Sequence, residues 1–497
     1  MPHDPRIARY VSNLDRPVFA LQGLPEEVVA VLFAYYSRSR DDLRTNLGKL
    51  LAGDELGLDE GPSGPGTTRI AQDKARAFHE KWVVGYGHGS VAEHAVVHLA
   101  IEDVSIIASK IIEDLRLGSY TEKSTRYVVF DRDSYVDLPE LPEPLRARYR
   151  TSCQRLFEGY LALQPADEQR VRDLCPRKPE QTEAAWNAAV RAQVLDLLRG
   201  LLPAGTRTNL GLTANARALS MLIGKMMSSP LAEVRRIAND MRDESLTVAP
   251  TLLRHTAASA HRTGMAEALR PAVAKLSSVP RAEAGCAVRL VRFDTDALER
   301  VALALSYEHD GASDPAARLM VLRAEPRERL LEVVQAAMRD RGPHDPAPRA
   351  FEASHLTLEL ELDYGAYRDL QRHRMLTPIV RPLGCELGAW VSEDLEAMGY
   401  ADRARALLGE ARVVWEELAE QHPNEAQYAV PLAYRVQVLW TLSLRELFHV
   451  VELRSRRQGH ASYRRVAQEL HRVVAEVHPW LEKMIRVDTE SYRLARG

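Results

Sequence analysis

A chain of 497 residues is too long for one ordinary domain and sets a soft prior of about three, or two large ones. Hydrophobic residues at 45% and charged residues at 27% match a globular chain with a real core and exclude one that is largely disordered. The net charge of −3 provides no overall field toward nucleic acid or an anionic membrane, so neither is expected as a partner. Apolar runs such as Val104 to Ile112 are broken well before the ~20 residues a bilayer crossing needs. Met1 to Tyr10 carries charge and proline but no apolar core, so no secretory signal is read and a cytoplasmic location is expected. Cys153, Cys175, Cys286 and Cys385 are far apart. They form no CxxC pair, which points to reduced, mostly packed thiols.

In chain order, Val18 to Tyr36 reads as a short strand, a Pro-Glu-Glu start and a helix with Val28, Val31, Leu32 and Tyr35 on one face. Gly61–Thr68 is a loop by its glycine and proline content. Ala95 to Glu102 reads as a strand, followed by a helix with Ile107, Ile111 and Leu115, and a late helix spans Asn215 to Met227. Thr256 to Gly285 is rich in Ala, Ser and Pro and reads as a partly helical linker. Val288 to Tyr307 repeats the opening plan, with Asp294 or Thr295 as the cap. Gly342–Pro348 is a second loop insertion. Leu356 to Leu362 alternates Leu with Thr or Glu, the period of a strand with one wet face. Asp363 can start a helix ending near Arg374, and Ser443 to Arg454 is the second late helix. The order of elements therefore occurs twice, which implies an internal duplication with repeats at 1–255 and 286–497 joined by a linker at 256–285.

Four stretches carry residues suited to chemistry. Ser119-Tyr-Thr-Glu-Lys-Ser-Thr-Arg126 would place Glu122, Ser124 and Arg126 on one side if extended, and a guanidinium beside a hydroxyl suits a phosphate monoester. A capped helix end followed by a polar surface strand explains the same residues. Arg372-His373-Arg374 would fan out from a helix end toward a bulky anion. A basic last turn complementing the helix dipole is the plainer reading. Gly87-His88-Gly89-Ser90 with Glu93, His94 and His98 offers three histidines for a metal, but without HExxH spacing, and ordinary hydrogen-bonded histidines fit as well. The glycine run at Gly85 opens no Rossmann helix. Arg445, His449, Glu452 and Arg454 share adjacent faces of one helix, with His460 and Ala461 just beyond. Salt bridges on an amphipathic helix would account for that pattern.

Taken together, these motifs resemble the flavin-dependent thymidylate synthase family, whose signature runs Arg-His-Arg, two residues, Ser, one residue, Asn-Glu, one residue, Ser, one residue, Arg. The second half keeps Phe351-Glu352 and Arg372-His373-Arg374 but has Ala353 for the strand histidine and Thr377 for the serine. It carries Ile379, Val380, Pro382 and Gly384 in place of Asn, Glu, Ser and Arg. The first half has Asp114-Leu115-Arg116 for the triad but keeps Glu93-His94, Ser119, Glu122, Ser124 and Arg126, with Thr121 for Asn. Asn215-Ala216-Arg217 in one copy, and Arg445, Leu453-Arg454 and His460-Ala461 in the other, match the late-helix segments. The first copy has no clear arginine near Met226.

The resemblance implies an α/β (α+β) fold of two similar halves, each a small antiparallel or mixed sheet packed with long helices. It implies reductive methylation of dUMP to dTMP, with FAD as cofactor and NADPH and methylenetetrahydrofolate as co-substrates. Family members are homotetramers with the nucleotide between subunits, so the complementary losses suggest one composite site and one vestigial one, with a homodimer imitating the tetramer. On that mapping Ser119, Glu122, Ser124, Arg126, Arg372 and Arg454 contact dUMP, and Arg454 acts on the uracil ring. His94, Arg372, His373, Arg374, Arg445 and His460 contact FAD. Asp369 stands where the family has a glutamine near the base, and a carboxylate there could repel an anionic pyrimidine or select another. A flavin- or nucleotide-binding homologue without synthase activity, and a metal-dependent hydrolase using His88, His94 and His98, are the alternatives.

Overall fold

A computed structural model of the chain describes residues 5–36, 39–51, 89–254, 256–277, 287–311, 313–492 and 494. The expected Gly61–Thr68 loop, Gly85, His88, Cys286 and the end of the linker lie outside the described residues. The contacts divide the chain into two compact units. One holds Met1–Val104, Ala108–Glu122 and Thr208–Val279; the other holds Ser105–Ile107, Lys123–Arg207 and Pro280–Gly497. The units thus do not follow the repeat boundaries, because Lys123–Arg207 of the first repeat packs in the unit that contains the second.

In the first unit, β1 (Val96–Ser105), β2 (Gly118–Glu122) and β3 (Arg207–Asn215) form a sheet in the order β1-β3-β2, with β2 antiparallel to β3. Helix Glu26–Tyr36 packs Val28, Val31 and Leu32 on Ile7, Val11, Leu43 and Leu47. The strand expected before this helix does not form. Among the described residues it forms only an isolated bridge, Val11 to Leu21; Phe19, Leu21 and Leu24 pack on the helix's core cluster while Val18 is 83% exposed, so the segment has a core but no partner strand.

In the second unit, β4 (Val288–Phe293), β5 (His355–Asp363), β6 (Thr377–Val380) and β7 (Arg435–Ser443) form an antiparallel sheet in the order β4-β5-β7-β6. Leu356, Leu358, Leu360 and Leu362 of β5 are buried, as the alternation predicts, with Val436, Val438, Trp440 and Leu442 of β7. The helix after β4 begins at Ala297, so its N-cap is Asp296 rather than Asp294 or Thr295. Asp294 instead accepts the backbone N–H of His355 at 2.9 Å, which ties it to the start of β5.

The duplication is visible in the backbone. Strand β1, helix Ile106–Ile112, β2, β3 and helix Ala216–Met227 correspond in order to β5, helix Tyr364–Leu370, β6, β7 and helix Leu444–Arg454. Asn215 and Ser443 cap the two late helices alike, accepting from Ala218 N at 2.8 Å and Glu446 N at 3.3 Å. Ser119 faces Thr213 in one sheet, as Thr377 faces Thr441 in the other.

Inside the second unit, two segments join about a local twofold relation. Pro203 bridges Pro431 antiparallel. Ala204 N donates to Val430 O and Leu432 N to Leu202 O; Gly205 N donates to Tyr428 O and Ala433 N to Gly200 O. Each segment also receives the start of a short helix in the same way, Ile106 N on Thr206 O and Tyr364 N on Tyr434 O. These reciprocal bonds satisfy buried backbone groups whatever the side chains are. They also fix which positions correspond in the two repeats: Ile111 matches Asp369, Asp114-Leu115-Arg116 matches Arg372-His373-Arg374, Gly384 matches Arg126, and Met226 matches Arg454.

Candidate functional site

The chemistry gathers in the second unit around Asp369, in the last turn of the helix that Asp363 caps by accepting Ala366 N at 2.8 Å. That helix ends at Leu370, earlier than the sequence suggests. Arg372, His373 and Arg374 therefore lie in the following turn, closed by His373 N on Leu370 O at 3.1 Å. The fan is kept by the turn: Arg372 is exposed, His373 buried and Arg374 half-buried.

Arg126 reaches this turn from the first repeat. Its Nη2 donates to Asp369 Oδ2 at 2.6 Å, and its Nε lies 3.0 Å from Asp196 Oδ1. Arg199 adds Nη1 to Asp369 Oδ2 at 3.1 Å and lies 3.7 Å from Asp196. Burial works against the charge of Asp369, but Arg126, Arg199, Arg372 and Arg454 overcome it and hold its carboxyl well below the usual carboxylate range. Burial likewise opposes the charge of Arg126, and Asp369 and Asp196 together hold the guanidinium protonated. Four guanidinium groups against two carboxylates leave the cluster positive. Arg199 Nη2 is buried without a hydrogen-bond partner among the described residues, so the cluster keeps unspent donor capacity.

A second chain of contacts joins the turn to the late helix. His373 Nδ1 lies 3.1 Å from Glu446 Oε1, and Arg454 Nε donates to His373 Nε2 at 2.8 Å. Burial pushes His373 down to about 4, against the pull of Glu446. Burial also opposes the charge of Glu446, yet its bonds with His373 and His449 hold it at about 2. Burial lowers Arg454 as well. The guanidinium carbons of Arg126 and Arg454 stand 5.3 Å and 5.5 Å from the ring centre of Tyr463, which brings the two arginines to one aromatic ring.

Ser119 is exposed on β2. The chain is extended only as far as Glu122 and turns at Ser124, so Glu122, Ser124 and Arg126 do not share one extended face. Glu122 accepts from Ser109 Oγ at 2.7 Å and pairs with Lys110 at 3.4 Å; Ser124 Oγ accepts Arg126 N at 3.2 Å. Arg445 is committed to Glu352 at 2.7 Å and to Ala347 O at 2.9 Å. His460 is buried and caps the helix Ala461–Val477 by accepting Ser462 N at 3.3 Å; burial drives it down to about 3. It lines a cavity with Asp196, Arg199, Trp390 and Ser392.

His94 stacks on Phe33 with centroids 4.6 Å apart, while His98 Nδ1 meets Thr213 Oγ1 at 2.8 Å. Each is thus engaged separately, and among the described residues the grouping with metal-ligand chemistry is instead His373, Glu446 and His449. Asp196, Arg199 and Tyr463 lie in no motif that the sequence reading used. The seam at Gly200 bears on Arg199 and on Asp196 one turn before it, whereas Tyr463 lies two residues past the marked His460-Ala461 pair.

Comparison with known proteins follows the same division. The sequence model of the thymidylate synthase complementing protein family matches residues 36–251 and again 289–480, and the chain belongs to this family. A "UPF0159 protein" of Chlamydia muridarum (strain MoPn / Nigg) is 33% identical over 99% of this chain and 96% of its own length. A "UPF0159 protein" of Thermoplasma acidophilum is 30% identical, over 86% of this chain and 91% of its own. The "Flavin-dependent thymidylate synthase" of Clostridium tetani is 26% identical over 38% of this chain and 74% of its own, about one repeat. Among the described residues no helix is long and apolar enough to cross a membrane.

Proposed function

We propose that this chain is a thymidylate synthase-like flavoprotein with one working site, composed of Arg126 and Ser124 from the first repeat and Arg372, Arg374 and Arg454 from the second. The convergence of Arg126 and Arg454 on Asp369 and Tyr463 carries this reading. The reaction is reductive methylation of dUMP to dTMP with methylenetetrahydrofolate and NADPH. Exposed Arg372 beside half-buried Arg374 is donor chemistry suited to the pyrophosphate of FAD. Bound there, flavin would supply the electron transfer. His373, with both ring nitrogens engaged, and Arg445, held by Glu352, are less suited to it.

Arg126 and Arg199 would hold the nucleotide's phosphate, and Arg454 would set a fixed positive charge against the pyrimidine. The reciprocal site is vestigial on this reading. Its matching positions hold Ile111, Asp114, Arg116, Met226 and Gly384, of which Arg116 alone is a cation. Two chains would form a homodimer that imitates a tetramer.

The double pairing of Arg126 with Asp196 and Asp369 favours a second reading, binding without turnover, because an incoming phosphate must compete with two carboxylates already in place. Purified protein assayed for bound flavin, for dUMP binding and for tritium release from labelled dUMP separates the two. Flavin with release supports the synthase. Flavin and dUMP binding without release supports the binder, and absence of both flavin and dUMP binding removes the proposal. Rescue of a thymidine auxotroph is the matching genetic test.

A further inference from the structure

The late helix and the turn after Asp369 meet in a three-membered chain whose protons can be assigned from its partners. A guanidinium has no acceptor, so the 2.8 Å bond from Arg454 Nε requires a lone pair on His373 Nε2. The single ring proton of the neutral imidazole must then sit on Nδ1, where Glu446 Oε1 waits at 3.1 Å. An imidazolium would set two N–H groups against each other at Nε2, and the other neutral tautomer would do the same. All three side chains are largely withdrawn from water, so an unmatched proton has no solvent to turn to.

We propose that Glu446 and His373 are positioning residues for Arg454. The carboxylate fixes the imidazole tautomer, the imidazole fixes the guanidinium by its Nε, and the Nη groups stay free of that bond to face Tyr463 and the ligand. This role for Arg454 rests on the functional reading above, whereas the tautomer chain does not. The same assignment rules against a metal on His373, Glu446 and His449 as they stand. A cation on His373 Nδ1 would displace its proton toward Nε2, against Arg454.

Nitrogen NMR of the intact, histidine-labelled chain reads the tautomer directly and needs no nucleotide. A protonated Nδ1 with a bare Nε2 is expected in the wild type. Glu446→Leu should shift the population toward the Nε2–H form, and Glu446→Gln, which keeps an acceptor, should largely retain the wild-type pattern. With dUMP as the probe, Glu446→Leu and Arg454→Ala should each raise Kd. The double variant should be weaker than Arg454→Ala by far less than the product of the two, a coupling of roughly tenfold or about 1.4 kcal/mol. A protonated Nε2 in the wild type, zinc taking Nδ1, or independent effects of the two substitutions would overturn the assignment. Should the wild type bind no dUMP, the functional reading fails, and the nitrogen spectrum still decides whether Glu446 sets the tautomer.

Discussion

The turn after Ile111 and the turn after Asp369 are the same piece of backbone carrying different chemistry. Both follow a seven-residue helix, Ile106–Ile112 and Tyr364–Leu370, whose first N–H groups dock on the paired seam segments. At the first, Asp114 ion-pairs with Lys225 on the surface. At the second, Asp369 draws in Arg126 and Arg199, and His373 reaches Glu446 and Arg454. The scaffold is held by main-chain bonds and apolar packing, which tolerate side-chain change, so duplication could leave the fold intact while charge was lost from one copy and kept in the other.

If that contrast is real, substitutions in the second turn and its partners should be costly, and those in the first should be mild. Arg126→Leu is the severest case, because it removes the guanidinium that the buried carboxylates Asp196 and Asp369 share. A loss of about 3–5 kcal/mol is expected for breaking such a buried pair, read as a lowered urea midpoint at unchanged slope. A stability equal to the wild type would mean that these ion pairs form no buried network.

Asp167 shows what a buried carboxyl does without a guanidinium. It lies fully inside the helix Glu143–Leu174, both its oxygens lack hydrogen-bond partners among the described residues, and burial pushes it up to about 7. In the unfolded chain it titrates near ~3.9, so between about pH 4 and 7 the folded state keeps a proton that the unfolded state has lost. Stability must then fall as pH rises through that window and level off above it. From pH 5 to 8 the loss should be on the order of 2–3 kcal/mol. Denaturant midpoints at the two pH values should move together in Asp167→Asn.

Much of this was legible in the residues themselves. The alternating leucines of β5 and the helix starts at Asn215, Asp363 and Ser443 are local signals, and the structure places the strand and these starts as read, with each of the three residues acting as an N-cap. Comparing what each repeat had lost points to Arg126 and the 372–374 turn as parts of one site, and the structure bonds Arg126 to Asp369 just before that turn. Other features depend on long-range packing that no local pattern encodes. Asp196 and Arg199 come to the cluster because the seam holds Gly200 against Ala433. The helix after Asp363 stops before the triad, whose His373 is buried against Glu446. Glu122 carries the family's glutamate, yet Ser109 and Lys110 engage it. Val18 has the composition of a strand but no strand to pair with.

The seam offers a milder test. Gly205 and Ala433 are matching positions, and only the second carries a side chain. A Cβ at Gly205 would stand 2.4 Å from the hydroxyl of Tyr149, which donates to Val136 O, and 3.1 Å from Tyr428 O, the acceptor of Gly205's own N–H. Neither neighbour can yield without losing a bond. Gly205→Ala should cost about 1–2 kcal/mol by overpacking, seen as a lower melting temperature. Ala433→Gly, which only removes a methyl group, should cost less.

The smallest effect is expected at Asp114, and it bears most directly on the contrast between the two turns. Its carboxylate and Lys225 are each more than a third exposed, so water screens the pair and the long lysine side chain loses freedom by making it. Asp114→Ala should change stability by no more than about 0.5 kcal/mol and leave dUMP binding untouched. Arg372→Ala, at the matching position, should weaken binding of the anionic ligand, because it removes an exposed cation from beside Asp369. Titration of the two variants side by side with dUMP makes the comparison. Equal losses would show that the first turn still serves a ligand, and the reading of one working and one vestigial site would fall.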